Sequence, residues 1–123
     1  MDNCPFCSID EKQIILNNNL CFAIYDNCPV NPGHLLIIPY RHFDSYFHAA
    51  LEEKTAIIQL IDEAKVFLDT HFSPDGYNLG VNIGVASGQT IMHVHYHVIP
   101  RYNGDIDIPK GGVRGVIPDK KLY

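Results

Sequence analysis

Three histidines stand at alternate positions in the segment MHVHYHVIPR, residues 92–101. Successive side chains of a β-strand point to opposite faces, so His93, His95 and His97 are predicted to share one face of a strand. The residues between them are apolar or aromatic and are predicted to face the other way. Imidazole changes charge near neutral pH and serves as a metal ligand, an acid, a base or a nucleophile. This face of the strand is therefore predicted to carry a chemical site.

The alternating imidazoles are open to three interpretations: half-exposed surface histidines, a metal site or a catalytic centre. A three-histidine metal site is hard to build on one strand. At about 3.3 Å per residue the backbones of His93 and His97 lie roughly 13 Å apart, whereas each ligand nitrogen must approach a zinc ion to about 2.1 Å. A catalytic centre is favoured by the loop ASGQT at 86–90, whose backbone N–H groups and side-chain donors suit a phosphate. A neutral imidazole can attack phosphorus while its neighbours donate hydrogen bonds to the phosphoryl oxygens.

Short strands and one long helix must hold these histidines in place. Apolar runs at 20–26 and 34–40 are predicted strands, and residues 51–72 repeat apolar side chains at three- and four-residue steps, which predicts an amphipathic helix. A further strand is predicted at 77–84, before the histidine strand. Two strands on each side of one helix predict an α+β fold with an antiparallel sheet. The glycine- and proline-containing residues 104–123 are predicted to form an extended arm.

Length and charge limit the kinds of function. The 123 residues fit a single domain, and 14 acidic against 9 basic side chains give a formal net charge of −5. No basic run offers a surface for a nucleic-acid backbone. No apolar run is long enough to cross a bilayer and the first residues show no signal-peptide pattern, so we expect a cytoplasmic protein without a membrane partner. Its cysteines are then expected to be free thiols or metal ligands.

The sequence resembles the histidine-triad (HIT) nucleotide hydrolases and transferases. HVHYHVI at 93–99 matches the His-x-His-x-His-x-x signature of that family, in which x is apolar. NPGHLLIIPYRH at 31–42 resembles its Pro-Gly-His segment, and GQT at 88–90 resembles its phosphate loop. The resemblance implies a single HIT-like domain over 1–123, with a five-stranded antiparallel sheet, one long helix and a short one. It also implies a homodimer in which two such sheets form ten strands.

The resemblance implies a reaction as well as a fold. His95 would attack the α-phosphorus of a nucleotide to form a nucleotidyl-histidine, which water then hydrolyses. His97 would bond the phosphate or the leaving group, and His34 would support the triad. The implied substrate contains an AMP moiety, in a dinucleoside polyphosphate or a nucleoside phosphoramidate, and Asp26 would hold its ribose hydroxyls. Further contacts implied with the phosphate are Asn82, Gln89 and Thr90, and those with the base are Phe6, Ile9 and Ile24.

The catalytic interpretation has a rival of another class, a nucleotide-binding module without turnover. The three apolar side chains assigned to the base pocket are equally compatible with an ordinary core. The two functions differ at His95, because a binding module does not need a nucleophile there. Replacement of His95 by alanine should abolish turnover in an enzyme and leave a sensor largely intact.

Cys4 and Cys7 form a Cys-x-x-Cys pair, which by itself fits a redox pair, half of a zinc site or chance. Bacterial-type members of the HIT family complete such a site with two histidines, which here are His42 and His93. The resemblance therefore implies a closed, tetrahedral, structural zinc site, with no catalytic metal required. That assignment leaves the other two triad histidines for the phosphate.

Overall fold

The computed structural model describes residues 3–123, in which one α-helix packs against an antiparallel sheet. The strands are β1 (Leu16–Asn17), β2 (Cys21–Tyr25), β3 (Leu35–Pro39), β4 (Gly76–Val81) and β5 (Tyr96–Arg101), and the helix is α1 (Leu51–Phe72). Their order across the sheet is β1-β2-β3-β5-β4. The α+β class and the five-stranded antiparallel sheet are confirmed. In place of the predicted short helix there are single 3₁₀ turns, and the homodimer stays a prediction.

Helix α1 has its predicted bounds. At its start the Glu53 carboxylate accepts the Ala50 N–H at 2.8 Å, as in a capping box. The same carboxylate accepts two hydrogen bonds from Arg41, at 3.0 and 2.7 Å. The helix ends at Phe72, and the C-cap residue Ser73 has a φ of 51°, in the left-handed region. Within residues 3–123, no helix is long and apolar enough to cross a membrane. The apolar side chains that α1 buries against the sheet are Ala56, Ile57, Leu60, Ala64 and Leu68.

The histidine segment is only partly a strand, which corrects the prediction for residues 92–101. Strand β5 begins at Tyr96, so the third triad histidine lies in the sheet and the first two lie before it. The β3–β5 ladder has its last pair at Ile37 and Tyr96. Two residues further along β3 stands Pro39, which has no N–H to donate and whose carbonyl accepts the His93 ring at 2.8 Å. The ladder therefore stops where the site begins.

The sheet buries one apolar layer on each face, and the triad lies over the face that α1 does not cover. Side chains of β2, β3 and β5 that face α1 form the larger core. The opposite face carries a smaller layer that packs against the N-terminal segment, residues 4–14. His95 and His97 remain partly exposed beside this segment. The buried members of the smaller layer are Phe6, Phe22, Ile24, Leu36 and Ile38.

The C-terminal arm, residues 104–123, contains two 3₁₀ turns, the first of which contacts β4. Asp105 ties the start of the arm to Arg101 through two hydrogen bonds of 2.8 Å. This guanidinium holds the pKa of the Asp105 carboxyl well below its usual range. Further along, Arg114 donates to an arm carbonyl at 2.9 Å and lies over the Tyr123 ring. The contacts of Arg114 thus lie within the arm.

Candidate active site

The three triad histidines divide between two clusters of side chains. His93, fully buried, points into a cluster with Cys4, Cys7 and His42. His97 belongs to a second cluster on the opposite side of His95, made with His34 and Asp26. The ring centroids of His95 and His97 lie 5.4 Å apart. His95 therefore stands between the two clusters.

The first cluster has the composition and spacing of a metal site. The His93 Nδ1 atom lies 3.5 and 3.6 Å from the Cys4 and Cys7 sulfurs and 3.1 Å from the His42 Nδ1 atom. The Cys7 sulfur lies 3.2 Å from the same His42 atom. Bond lengths of about 2.0–2.3 Å in a tetrahedral site place neighbouring ligand atoms about 3.3–3.8 Å apart. The four side chains thus form a possible Cys₂His₂ metal site.

Hydrogen bonding prepares His93 to act as a ligand. Its Nε2–H donates to the Pro39 carbonyl at 2.8 Å, so the Nδ1 lone pair faces the two sulfurs. Burial lowers the pKa of His93, and the ring is therefore neutral at pH 7, the form that binds a metal. Cys4 is the N-cap of the 3₁₀ turn Pro5–Ser8 and Cys7 lies within it, and both sulfurs lie near His93 Nδ1.

The His95 ring is held in the tautomer of a nucleophile. Its Nδ1–H donates to the His93 carbonyl at 2.9 Å, because a carbonyl can only accept. A neutral imidazole has a single N–H, so Nε2 then carries a free lone pair. The side chain lines a cavity of about 430 Å³. The Phe6 ring packs edge-on against His95, with centroids 5.1 Å apart.

The second cluster fixes the tautomer of His97. The Val30 backbone N–H donates to His34 Nδ1 at 3.0 Å, so the single proton of neutral His34 is on Nε2. That Nε2 lies 2.9 Å from His97 Nδ1 and donates to it. His97 must then carry its own proton on Nε2. Burial lowers the pKa of both rings, which keeps them neutral at pH 7.

This hydrogen-bond chain argues against a metal ion in the second cluster. The Asp26 Oδ2 atom lies 3.5 Å from His34 Nε2 and 3.9 Å from His97 Nδ1, a grouping that could otherwise hold a cation. A metal on His34 Nε2 would require that ring to surrender its last proton, since Nδ1 already accepts from Val30. The cluster is better suited to orienting His97 as a hydrogen-bond donor.

Most of the predicted nucleotide contacts line the same cavity as His95. The residues that were predicted from the sequence and that line this cavity are Phe6, Ile24, Asp26, Asn82, Thr90 and His97. A second cavity, of about 530 Å³, shares Asp26 and His97 with the first and extends between β4 and the arm. Among the described residues that line these two cavities there is no lysine or arginine. Their polar side chains carry amides, hydroxyls, a thiol, a carboxylate and imidazoles.

Comparison with known proteins assigns the chain to a family. The HIT domain matches residues 9–104. The chain belongs to the HIT family. An uncharacterised 16.1 kDa HIT-like protein of Mycoplasma pneumoniae is 36% identical over 105 residues, which cover 82% of this chain and 73% of that protein. A bis(5'-adenosyl)-triphosphatase of Dictyostelium discoideum is 32% identical over 99 residues, covering 80% and 66%.

A solved structure of a histidine triad family protein resembles most of the chain. A zinc-bound histidine triad family protein of Mycobacterium smegmatis superposes with a TM-score of 0.77 at 29% identity. The match covers 85% of this chain and 78% of that one. The five-stranded sheet with one long helix is thus the architecture of HIT-family relatives.

Two residues expected at the nucleotide site of this HIT chain lie elsewhere. Ile9 lines a separate groove beside β1 and packs in the smaller apolar layer. Gln89 is buried, and its amide accepts from the Gly84 N–H at 2.9 Å and donates to the Asp44 carbonyl at 2.8 Å. These bonds fix the glycine loop, so a direct bond from Gln89 to phosphate would require the amide to break them. Its contact with substrate stays a prediction.

Sequence reasoning missed two contributors to the site. Val30 acts through its backbone N–H, which no side-chain pattern reveals. Cys28 lines both cavities, and its N–H donates to the Asp26 Oδ1 atom at 2.8 Å. Asp side chains in loops often accept a hydrogen bond from the backbone N–H two residues further on, which makes a tight turn. This preference could have placed Cys28 next to Asp26, and so beside the site.

Proposed function

We propose that this HIT-family protein is a nucleotide hydrolase that releases a nucleoside monophosphate from a dinucleoside polyphosphate through a nucleotidyl-histidine on His95. The observation that carries this proposal is the His95 ring, which lines a cavity while its Nδ1–H is bound to the His93 carbonyl, so that Nε2 keeps its lone pair. A binding module has no need of a ring held in that tautomer. The named activity of the Dictyostelium relative, a bis(5'-adenosyl)-triphosphatase, supports the same substrate class.

In the first step the His95 Nε2 lone pair attacks the α-phosphorus, and the bond from phosphorus to the bridging oxygen breaks. The leaving group, a nucleoside polyphosphate that keeps the second nucleoside, departs with the bonding electron pair, and the ring becomes positively charged. The His93 carbonyl, 2.9 Å from Nδ1, stabilises that charge as it develops. The Nε2–H of His97 donates to a phosphoryl or bridging oxygen, where negative charge accumulates.

In the second step water attacks the phosphorus of the nucleotidyl-histidine and displaces Nε2 of His95. The bond to nitrogen breaks with its electron pair on the ring, which returns to the neutral tautomer of the resting site. The proton of the attacking water passes to solvent. The products are a nucleoside monophosphate and the free enzyme, and no metal ion takes part in either step.

The chain from His34 to His97 favours a polyphosphate over a phosphoramidate. A polyphosphate leaves as a stable anion and needs only a hydrogen bond, whereas an amine leaving group must gain a proton. His97 could give up its Nε2 proton only by taking one from His34, whose other nitrogen already accepts from Val30. His34 would then be left without any proton. A phosphoramidate is therefore the second candidate substrate.

Several cavity residues are proposed to hold the AMP moiety. Asp26 presents a carboxylate that can accept hydrogen bonds from the ribose hydroxyls, and Asn82 and Thr90 can donate to the phosphate. Phe6 and Ile24 offer an apolar wall to a purine. We place the leaving group beyond His97, toward the second cavity.

We further propose that Cys4, Cys7, His42 and His93 hold a structural zinc ion. The spacing of the four ligand atoms and the neutral state of His93 support this assignment. The similar histidine triad family protein of Mycobacterium smegmatis is zinc-bound, which supports the choice of metal. Bound there, zinc would neutralise the thiolates and link the N-terminal turn to the sheet. A cytoplasmic homodimer is the expected setting of the enzyme.

The deciding experiment looks for the covalent intermediate. Purified protein is mixed with diadenosine tri- or tetraphosphate or with an adenosine phosphoramidate, quenched within milliseconds to seconds and examined by mass spectrometry. We expect one adenylyl group per chain, located on His95, and release of AMP. His95→Ala should bind AMP and form no adduct, whereas His71→Ala, on the exposed side of α1, should behave as wild type. AMP binding without adduct or turnover would leave a nucleotide-binding module.

A further inference from the structure

The cysteine turn, Pro5–Ser8 together with Cys4, lies between the metal cluster and the nucleotide cavity. Its two sulfurs face the metal cluster, while Phe6 between them lies under the triad. The Phe6 ring is 8% exposed and stands edge-on to both His93 and His95, with centroids 5.9 and 5.1 Å away. Phe6 also lines the cavity into which His95 points. One short turn therefore contacts the metal ligands and the nucleophile.

His93 forms a second bridge between the metal cluster and the nucleophile. Its ring is held at both nitrogens, by the Pro39 carbonyl at 2.8 Å and by the cluster. Its backbone carbonyl is the acceptor that orients the His95 ring. A shift of the His93 ring on loss of a metal would therefore be transmitted to the atom that fixes the tautomer of His95.

We propose that the metal site is a positioning device for the nucleotide site, with Phe6 and the His93 carbonyl as its two connections. Metal binding holds the cysteine turn against the sheet, seats Phe6 against the nucleophile and completes the cavity wall. The metal and AMP then favour one another. In this scheme Phe6 positions the His95 ring, in addition to the wall that it offers to the purine. This inference rests on the proposed nucleotide site, and its test does not depend on turnover.

The test measures the coupling between zinc and AMP. AMP affinity is determined by equilibrium dialysis for zinc-loaded and chelator-stripped protein, and zinc affinity by competition with a chromophoric chelator, with and without saturating AMP. Linkage requires the two ratios to be equal, and we expect a factor of roughly 5–150. Equal AMP affinity in folded zinc-free and zinc-loaded protein would overturn the inference. Absence of an adenylyl adduct would instead count against the proposed hydrolase and leave the coupling unaffected.

A pair of variants keeps the test valid if the zinc-free protein unfolds. Phe6→Ala and Ile14→Ala each remove an apolar side chain of the smaller layer, and neither residue is itself a metal ligand, but only Phe6 stands edge-on to His95. Both should bind one zinc ion per chain. We expect the zinc–AMP coupling factor to fall toward one in Phe6→Ala, to recover in part in Phe6→Leu and to stay at the wild-type value in Ile14→Ala. An equal loss in the two alanine variants would show that zinc acts only through overall stability.

Discussion

His34 touches the reacting atoms only through His97, and its replacement tests the tautomer scheme directly. The ring is 2% exposed, accepts from Val30 at 3.0 Å and donates to His97 at 2.9 Å. His34→Ala removes the donor that keeps the proton of His97 on Nε2. His34→Gln places an amide N–H where the ring Nε2–H stood and should restore that donor.

The expected magnitudes follow from the contacts that are lost. Val30 is exposed and its N–H can turn to water, whereas His97 Nδ1 is left half-buried without its donor. One unpaired buried polar atom and the space left by a buried ring together cost roughly 2–4 kcal/mol of unfolding free energy. Removal of a donor that itself contacts the developing charge slows a reaction by roughly 10²–10³-fold. Because His34 acts one residue further away, we expect adduct formation in His34→Ala to slow by roughly 10–100-fold.

The assay is single-turnover formation of the adenylyl adduct by rapid quench, with AMP affinity and urea unfolding measured on the same samples. His34→Ala should bind AMP within about twofold of wild type, since the ring is not required to contact the nucleotide. His34→Gln should recover most of the rate, and His71→Ala serves as the histidine control. A folded His34→Ala protein that forms the adduct at the wild-type rate would refute the reasoning. So would a His34→Gln protein as slow as the alanine variant.

Three further predictions follow from other features of the site and core. The buried Tyr96 hydroxyl has no hydrogen-bond partner among residues 3–123, and burial raises its pKa, so Tyr96→Phe should raise the free energy of unfolding by about 1 kcal/mol in urea titrations. Burial lowers the pKa values of His34 and His97 below the ordinary 6.5, so the unfolded chain binds protons there that the folded chain does not. Unfolding free energy should therefore fall as pH drops through 6.5 toward the lowered folded values, and this dependence should weaken in His34→Ala. Cys7→Ser should lose the bound zinc that atomic absorption detects, whereas Cys28→Ser, outside the cluster, should retain one zinc per chain.

The sequence pattern predicts the elements better than the contacts at the site. The apolar repeat predicts both ends of α1 correctly. The spacing of apolar residues and the left-handed residue after Phe72 are both local features of the chain, so the sequence alone reveals them. Strand alternation over 92–101 is misleading, because the end of the β3–β5 ladder depends on Pro39, a residue far away in the chain. Ile9 and Gln89 do not line the His95 cavity for a similar reason, and their contacts with substrate stay predictions. Whether an apolar or amide side chain lines a cavity or fills a core is decided by tertiary packing, which spacing does not specify.

The same side chain carries three different roles in the triad, and the partner of its second nitrogen decides which role each has. The Pro39 carbonyl takes the Nε2–H of His93 and leaves Nδ1 to the cysteines. The His93 carbonyl takes the Nδ1–H of His95 and leaves the Nε2 lone pair for the proposed attack on phosphorus. His34 donates to Nδ1 of His97 and leaves its Nε2–H for a phosphoryl oxygen. Two of the three partners are the backbone carbonyls of Pro39 and His93. Substitutions that keep every triad histidine but move either carbonyl are therefore expected to abolish the proposed activity.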